Sequence, residues 1–526
     1  MTDQERGPYA GVQGAGGVPE DLLAALSAYE RAILTNELDE LDRWFLDSPS
    51  TLRADHAGLL LGHDEISAFR GLRGGVPARV IERLEYRRLG AEAALVVSVS
   101  RFAAGGHGVQ TQLWQLTEIG WRIAAAHVSS RPQSFDRSIW RAVGAPLVHA
   151  DDPKGPLGGL TVAVKDLFAI EGFRIGAGNP AYLDSAAPQT ATATAVADLL
   201  QGGAAVRGIS QTDEFAYSIA GDNPHYGTPP NDALPGALPG GSSSGPASAV
   251  AMGQADIGLA TDTAGSVRVP ASYQGLWGLR TTHGLVPRDG LLPLAPTFDT
   301  VGWITRDGHT LQRVADWCLP PSDAGAADHP LPWRIRVPLE MREAAAPQTR
   351  AAFDAFLTRL DAPIEQVSIG DLASYQQPFR VVQAAEAWRS NGEWVRAHPG
   401  ALGPAVEARF REAARVTPEE ENAARAALEP LRARMQALVA DAQLLFPTVP
   451  GHAPSRDADG AAVDAVRTAT LRMTTPAAVA GLPALSFPVL RVPLAQRSAP
   501  VGVCVVARRG CDAQLVGHAR RLSSLA

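Results

Sequence analysis

The arrangement of apolar residues changes once along this chain, at a stretch containing Pro and Gly over residues 134–157. Ahead of it, apolar residues between Leu22 and Ile33 recur at helical spacing, and strand-like runs separated by Gly-containing turns follow. Behind it, short β-rich runs alternate with helical stretches, a rhythm typical of a largely parallel sheet. The sequence therefore predicts a small α+β domain over residues 18–133, a linker over 134–157 and a larger α/β domain over 158–526.

Length and composition exclude several classes of protein. The 526 residues leave room for two or three domains, and a hydrophobic share of 45% suffices for large cores. A formal net charge of −8 without a basic stripe argues against nucleic acid as a partner, and no apolar run is long enough to predict a membrane span. Residues 1–17 lack the features of a secretory signal and are Gly-rich, which predicts a disordered arm. The three cysteines, Cys318, Cys504 and Cys511, are too few and too scattered to indicate a disulfide framework. A cytoplasmic location is therefore expected.

Lysine is almost absent from the chain. Of the 47 Lys and Arg residues, only Lys154 and Lys165 are lysine. An arginine cannot be deprotonated in a protein, whereas a lysine at the end of a buried strand can lose its proton through desolvation and act as a base. Lys165 directly follows the β-rich run 160–164 and is therefore a candidate base, although a single lysine is more often a surface cation.

Two loops rich in small and hydroxyl residues provide candidate nucleophiles. The first is PGGSSSGP at residues 239–246, and the second is TDTAGSVR at residues 261–268, which follows a predicted strand. Small residues let a substrate approach the backbone, whose amides can stabilise an oxyanion. The first loop, taken alone, would also fit a flexible Gly/Ser linker.

Three nucleophile schemes can be compared with these loops. The G-x-S-x-G elbow of α/β-hydrolases matches around Ser243, although no HGGG-like loop precedes it. The S-x-x-K pattern fails, because neither lysine has a serine three residues before it. A lysine base acting with two serines fits Lys165, Ser242 and Ser266, and the elbow remains the alternative.

Seven segments in this order resemble the amidase signature family across roughly residues 140–526: GLTVAVKDLFAIEG, TDEFAYS, PGGSSSGPASAVA, GLATDTAGSVRVPAS, LAPTFDTVGW, FPTVPGHAP and AGLPALSFPV. Lys165 lies 77 residues before Ser242, and Ser266 lies 24 residues after Ser242, as the resemblance leads one to expect. Two departures are visible, since Ala264-Gly265 and Ser244-Gly245 stand where the family usually has Gly-Gly.

The resemblance implies an α/β amidase-signature core with a mixed, largely parallel sheet covered by helices. It makes Lys165 the base, Ser242 a bridging serine held by a cis peptide bond, and Ser266 the nucleophile that forms an acyl-enzyme. The implied oxyanion hole consists of the backbone amides of Thr263, Ala264, Gly265 and Ser266. The residues expected to support the loops are Ser243, Asp262 and Arg268. No metal or cofactor is implied.

The N-terminal α+β domain resembles the cone-shaped SnoaL-like fold, and more narrowly the AtzH-like proteins that accompany amidases in the breakdown of s-triazine fragments. The segments that carry this resemblance are AYERAILTNELDELDRWF, LGHDEISAFRGLR and GWRIAAAHVSSRP. The candidates to line the cone are Tyr29, Arg31, Arg53 and His127. The domain is expected either to process a carboxylated amine or carbamate related to the amidase product, or to act as a scaffold.

The resemblance also bears on the substrate. Amidases that accompany AtzH-like proteins act on small carboxylated amides or ureido acids. An arginine in the region 376–411 is therefore expected to bind a carboxylate of the substrate, and the candidates are Arg380, Arg389 and Arg409. The alternatives are a neutral aryl or alkyl monoamide, glutamine in tRNA-dependent amidation, and a scaffold with an inactive core. The expected partner is a small amide rather than a membrane or nucleic acid, and a homodimer is left open.

Overall fold

The computed structural model describes residues 8–9, 12–55, 58–72, 79–102, 107–131, 135–320, 331–494 and 497–525. The chain divides into two compact units, Met1–Ser134 and Phe135–Ala526. The first has the expected α+β composition, and the second combines strands with many helices. No helix in the described ranges is both long and apolar enough to cross a membrane.

The first unit packs three helices against one sheet. The helices are α1 (Glu20–Thr35), α2 (Leu38–Trp44) and α3 (His63–Leu72). The strands are β1 (Leu52–Asp55), β2 (Gly58–Leu61), β3 (Arg79–Arg88), β4 (Ala93–Phe102), β5 (His107–Thr117) and β6 (Gly120–Arg131). Their order is β2-β1-β6-β5-β4-β3, and β3 to β6 form the predicted antiparallel meander, with β1 parallel to β6.

The described part of the expected N-terminal arm is folded. Ala15–Gly17 form a 3-10 helix, and the N–H of Leu84 donates to the carbonyl of Gln13 at 2.8 Å. Tyr9 and Ala15 are buried in the core of this unit. The prediction of a disordered arm is therefore wrong for residues 12–17, because glycines here permit a tight turn against β3; residues 1–7 and 10–11 lie outside the described residues.

The second unit is built on a sheet of eleven strands in its described ranges. They are β7 (Trp140–Val148), β8 (Thr161–Lys165), β9 (Ala205–Ser210), β10 (Ile257–Asp262), β11 (Trp277–Arg280), β12 (Thr300–Thr305), β13 (Ile335–Pro338), β14 (Ile364–Val367), β15 (Gln443–Pro447), β16 (Ala484–Pro493) and β17 (Ser498–Val506). The order is β14-β13-β15-β17-β16-β11-β12-β10-β8-β9-β7.

The sheet is mixed, as predicted, but antiparallel pairs are more frequent than the prediction allowed. Among the described strands, β8 is parallel to β9 and β10, and β13 is parallel to β14 and β15, whereas the other six pairs are antiparallel. The βαβ rhythm indicated only the parallel pairs, because hairpins such as β16–β17 have no helix between their strands.

Helices cover this sheet. In chain order they are α4 (Pro180–Ser185), α5 (Thr194–Gln201), α6 (Ser244–Ala251), α7 (Arg268–Gln274), α8 (Gly308–Cys318), α9 (Leu339–Ala344), α10 (Pro347–Leu357), α11 (Leu372–Ala397), α12 (Pro404–Ala413), α13 (Pro418–Leu438), α14 (Gly460–Val479) and α15 (Asp512–Ser523). A capping box begins α13: the Glu420 N–H donates to Thr417 Oγ1 at 3.2 Å, and the Thr417 N–H donates to Glu420 Oε2 at 2.9 Å.

The stretch predicted to be a linker contains a strand. β7 pairs antiparallel with β9 and forms one edge of the sheet. Pro146, which has no N–H to donate, is tolerated at an edge, and the Ala145–Pro146 peptide bond is cis. The linker prediction is therefore wrong for residues 140–148, because Pro and Gly are as compatible with an edge strand as with a linker.

Candidate active site

Lys165 is the last residue of β8 and is fully buried. Because β8 and β10 are parallel neighbours, Lys165 lies beside the carboxyl end of β10, which carries Thr261. The Lys165 Nζ lies 2.8 Å from Ser242 Oγ, 3.0 Å from Ser243 Oγ and 2.8 Å from Thr261 Oγ1. The fold thus brings the lysine into contact with the first serine loop. Thr261 was not predicted to contact the lysine, although its place at the end of β10 is a signal that could have indicated it.

These three hydroxyls constrain the protonation state of the amine. An ammonium can donate to all three, whereas a neutral amine has two N–H groups and one lone pair, so one hydroxyl must then donate to the nitrogen. Burial lowers the pKa of Lys165 to about 7, against the opposing effect of the carboxylates of Asp213, Asp262 and Asp299. A neutral amine is therefore accessible near neutral pH and can accept a proton from a hydroxyl.

The backbone around Ser242 is held on both sides. The Gly241–Ser242 peptide bond is cis. The carbonyl of Ser242 accepts the N–H of Asp213 at 3.1 Å and the hydroxyl of Thr212 at 2.9 Å. A Cβ at Gly241 would lie 2.2 Å from Asp213 Oδ2, so the position requires glycine. These contacts fix the serine so that its hydroxyl lies at the amine of Lys165.

Asp213 supports this loop and was not predicted as a site residue. Its carboxylate accepts the Gly221 N–H at 2.9 Å and the Ser244 hydroxyl at 3.0 Å, and burial raises its pKa to about 6. Ser244 is one of the departures from Gly-Gly, and its hydroxyl adds a hydrogen bond that glycine could not make. The signal in the sequence was the position of Asp213 within the TDEFAYS segment.

Asp262 organises the second serine loop. Its carboxylate accepts the N–H groups of Gly265 at 2.8 Å and Val267 at 3.2 Å. It also pairs with Arg268 Nη2 at 2.9 Å, as the sequence led us to expect, and with Arg280 Nη1 at 3.1 Å, all three side chains being fully buried. Burial favours the neutral acid, but the two guanidinium groups hold the pKa of Asp262 well below its usual range.

We expect Asp262→Asn to destabilise the protein by about 3–5 kcal/mol, because it leaves two buried guanidinium groups without their carboxylate. Urea unfolding measures this change. Asp441→Asn is the matched control, since Asp441 also pairs with two arginines but is exposed, and it should alter the unfolding free energy little. Equal midpoints for the two variants would contradict the assignment.

The expected oxyanion hole needs one correction. The Gly265 N–H is already bonded to Asp262 Oδ1, so it braces the loop and is not free for a substrate. Thr263, Ala264 and Ser266 line a cleft, and the Thr263 hydroxyl is fixed by Asp299 Oδ1 at 2.6 Å. The predicted amides of these three residues therefore remain candidates. The carboxylate that accepts the Gly265 N–H belongs to Asp262, three residues earlier in the chain. The spacing of these residues alone did not indicate that contact.

The cleft is open to solvent. Besides the second loop, its lining includes Tyr217, Ile219, Gln383, Arg467 and Leu471. Lys165 and Ser242 are fully buried, whereas Ser266 is on the cleft wall. The N–H of Ser243 donates to the carbonyl of Ser266 at 3.3 Å, which ties the two serine loops together.

The contacts of Ser243 bear on the elbow alternative. Its hydroxyl lies 3.0 Å from Lys165 Nζ and donates to the carbonyl of Thr261 at 3.3 Å. A nucleophile elbow requires an exposed serine, but Ser243 is fully buried. The geometry therefore favours the scheme with one lysine and two serines.

The three arginines predicted to bind a carboxylate do not line the cleft. Arg389 forms a bidentate pair with Glu421 at 2.6 and 2.8 Å, so its charge is already used. Arg409 donates to the carbonyl of Tyr217, and Arg380 is exposed. The arginine that lines the cleft is Arg467 on α14, outside the region 376–411. None of the three predicted arginines lines this cleft, because chain position cannot show which helix closes it.

Two of the four candidates in the first unit are buried. Tyr29 accepts a hydrogen bond from Arg70 Nη2 at 3.2 Å, and Arg53 pairs with Asp55 at 2.9 Å. Arg31 and His127 are exposed, so the prediction that they line the interior is wrong. Arg31 lies on the outward side of α1, which the helical spacing of that segment could have indicated.

Three buried donors in the first unit have no acceptor in the described ranges: Trp44 Nε1, Arg70 Nη1 and Gln112 Nε2. Trp44 contacts the ring of Trp114, whose indole donates to the Oε1 of Gln112 at 3.2 Å. Both Arg70 and Trp114 contact Tyr29. The donors thus belong to one connected group of aromatic and polar side chains.

Two family models match this chain. Residues 122–516 match the Amidase family model, and residues 16–134 match the AtzH-like model.

Individual relatives align with about two thirds or more of the chain. Amidase 1 of Arabidopsis thaliana is 35% identical over 68% of this chain and 91% of its own. The 2-amino-5-chloromuconic acid deaminase of Comamonas testosteroni is 33% identical over 74% of this chain and 86% of its own. An inhibitor-bound complex reported to reveal the origins of an s-triazine catabolic enzyme is 29% identical, with a TM-score of 0.64 over 70% of this chain and 84% of that one. The chain therefore belongs to the amidase family of carbon–nitrogen hydrolases and carries an AtzH-like domain ahead of the amidase region.

Proposed function

We propose that this enzyme hydrolyses the C–N bond of a small amide or ureido compound through an acyl-enzyme on Ser266. The observation that carries the proposal is the 2.8 Å contact between Lys165 Nζ and Ser242 Oγ, buried behind a cleft that Ser266 lines. A lysine of lowered pKa beside a serine is a chemically competent base, and the second serine extends its reach to the cleft.

The proposed reaction has two halves. Neutral Lys165 accepts the proton of Ser242, which accepts that of Ser266, and the Ser266 Oγ bonds to the carbonyl carbon of the substrate. The carbonyl oxygen takes up the negative charge facing the amides of Thr263, Ala264 and Ser266. The relay returns the proton to the leaving nitrogen as the C–N bond breaks. Water then attacks the ester, releasing the acid and restoring the serine.

A panel of small amides scored by ammonia release tests this proposal. The panel contains carboxylated amides, ureido acids, neutral aryl and alkyl amides, and glutamine. Turnover of any member by the isolated chain supports hydrolysis, and the ranking of the members identifies the substrate class. Glutamine turnover that depends on an added partner would favour tRNA-dependent amidation, and a complete lack of turnover would favour a scaffold.

We infer a second, binding role for the AtzH-like domain, over residues 18–133. The support is the connected group of unpaired donors at Trp44, Arg70 and Gln112. Buried donors without acceptors cost free energy, which a small anion with several oxygens, such as a carboxylate or a carbamate, would recover. This chemistry suits a molecule related to the product of the amidase site.

The indole N–H signal of Trp44 in a nitrogen-15 spectrum reports on such binding. Adding N-carbamoylglycine, a ureido carboxylate, should shift this signal in the unmodified chain and in Arg31→Gln, which alters an exposed arginine of the same unit. Arg70→Gln should weaken the response by about tenfold, because it removes the charged donor. An unmoved Trp44 signal at saturating probe would refute the binding role.

A further inference from the structure

The cleft that contains Ser266 also contains a guanidinium without a hydrogen-bonded acid. Arg467 lines the cleft from α14, and its side chain is 23% exposed. Its Nε is buried and has no hydrogen-bond partner in the described ranges. The nearby carboxylate of Asp464 lies 3.9 Å from Nη1 and is 71% exposed, so it is beyond hydrogen-bond distance and well hydrated. Arg467 is therefore a cation with an unused donor in the same cleft as the proposed nucleophile.

In the described ranges, no carboxylate other than that of Asp464 lies within 4 Å of the Arg467 guanidinium. On one side the Arg467 side chain borders a second, small pocket whose walls include Ile219, Leu238, Tyr273 and Val463. Its electrostatic neighbours include the cations Arg409 and Arg380, along with Tyr217. Glu412, the carboxylate near Arg380, is 3.9 Å from that arginine and 71% exposed. The positive charge at this end of the cleft is thus only weakly compensated by the protein.

We propose that Arg467 binds a carboxylate of the substrate, and that the enzyme is specific for small amides or ureido compounds carrying such a group. This proposal rests on the proposed function, since it assumes that the cleft at Ser266 receives the substrate. A bidentate guanidinium–carboxylate pair would satisfy Nε and one Nη together. Arg409 and Arg380 would add attraction for an anion and repel a cationic amine.

The apolar lining fits the remainder of such a substrate. Ile219 and Leu471 stand on the same cleft as Arg467 and Ser266. A short carbon or ureido spacer between the carboxylate and the scissile carbonyl would contact these side chains. A neutral amide would fill the same space but leave the guanidinium unpaired, which disfavours its binding. The cleft would therefore recognise the charge of the substrate at Arg467 and cleave its C–N bond at Ser266.

The test compares succinamate, which carries a carboxylate, with butyramide, which has the same chain length and none. In the unmodified chain kcat/KM for succinamate should exceed that for butyramide by about tenfold or more. Arg467→Gln should reduce this ratio by at least about tenfold, mainly through KM for succinamate, and Arg467→Lys should restore part of it. The matched control is Arg472→Gln, an exposed arginine of the same helix, which should keep the ratio.

Succinate binding, measured by titration calorimetry, separates this proposal from the proposed function. If succinate binds and Arg467→Gln weakens its binding by about tenfold, the carboxylate site is supported even if no amide is hydrolysed, and only the proposed function fails. If amides are hydrolysed but Arg467→Gln leaves both the ratio and succinate binding unchanged, the carboxylate site is wrong and the proposed function stands. Absence of succinate binding to the unmodified chain overturns the carboxylate site.

Discussion

Replacing Ser266 with alanine should abolish amide hydrolysis and prevent formation of a covalent acyl adduct. In the proposed mechanism the Ser266 hydroxyl, which lies on the cleft wall, forms the acyl bond, so its removal leaves no nucleophile. We expect kcat to fall by roughly 10⁴-fold or more, as for nucleophiles of other serine hydrolases. Initial rates of ammonia release measure the loss, and intact mass after treatment with a p-nitrophenyl ester reports the adduct.

Ser218→Ala is the matched control for this experiment. Ser218 lines the same cleft, and its hydroxyl accepts the N–H of Ala220 at 3.3 Å. The adduct mass should therefore appear in Ser218→Ala as it does in the unmodified chain. An adduct that persists in Ser266→Ala would show that another residue is the nucleophile, and peptide mapping would then locate it.

Replacing Lys165 with methionine should lower kcat/KM by about 10²–10⁴-fold, the usual contribution of a general base. Methionine keeps the length of the side chain but has no amine. In the unmodified chain, kcat/KM should rise as the pH increases through about 7, because burial lowers the pKa of Lys165 to about 7 and only the neutral amine accepts a proton. Below that pH the amine is protonated and the rate should fall.

Two further variants make the assignment specific. Lys165→Arg keeps a permanent positive charge, so its rate should stay low across the whole pH range. Lys154→Met removes the other lysine of the chain, which is exposed, and should leave the profile unchanged. If Lys165→Met is folded by circular dichroism and its kcat/KM falls only mildly, Lys165 is not the base. That result would favour the nucleophile elbow at Ser243.

Sequence patterns indicated those parts of the site that depend on residue chemistry and chain order. The scarcity of lysine singled out Lys165, and the two serine loops lie where the carboxyl ends of β8 and β10 meet. Parallel strands bring such ends together, so the alternating rhythm carried real information about the site.

Features that depend on long-range packing were not predictable in the same way. Arg467 lines the cleft because α14 closes one side of it, and the abundance of arginine concealed it. The amide of Gly265 is captured by the carboxylate of Asp262, a contact set by the path of the loop rather than by its composition. In the first unit, the Gly-rich composition of residues 12–17 predicted disorder, but these residues pack against β3.

The edge strand β7 determines where the two units can be separated. A chain cut at residue 158, where the α/β rhythm becomes regular, would lose β7. The N–H and C=O groups of β9 that face β7 would then have no partners, although β9 would still pair with β8. A long uncovered edge is a template for pairing with another molecule, so such a fragment is prone to edge-to-edge aggregation. A cut before Phe135 keeps β7 on the sheet. The solubility of the separated amidase unit thus depends on the nine residues Trp140–Val148, which lie in the stretch that the sequence predicts to be a linker.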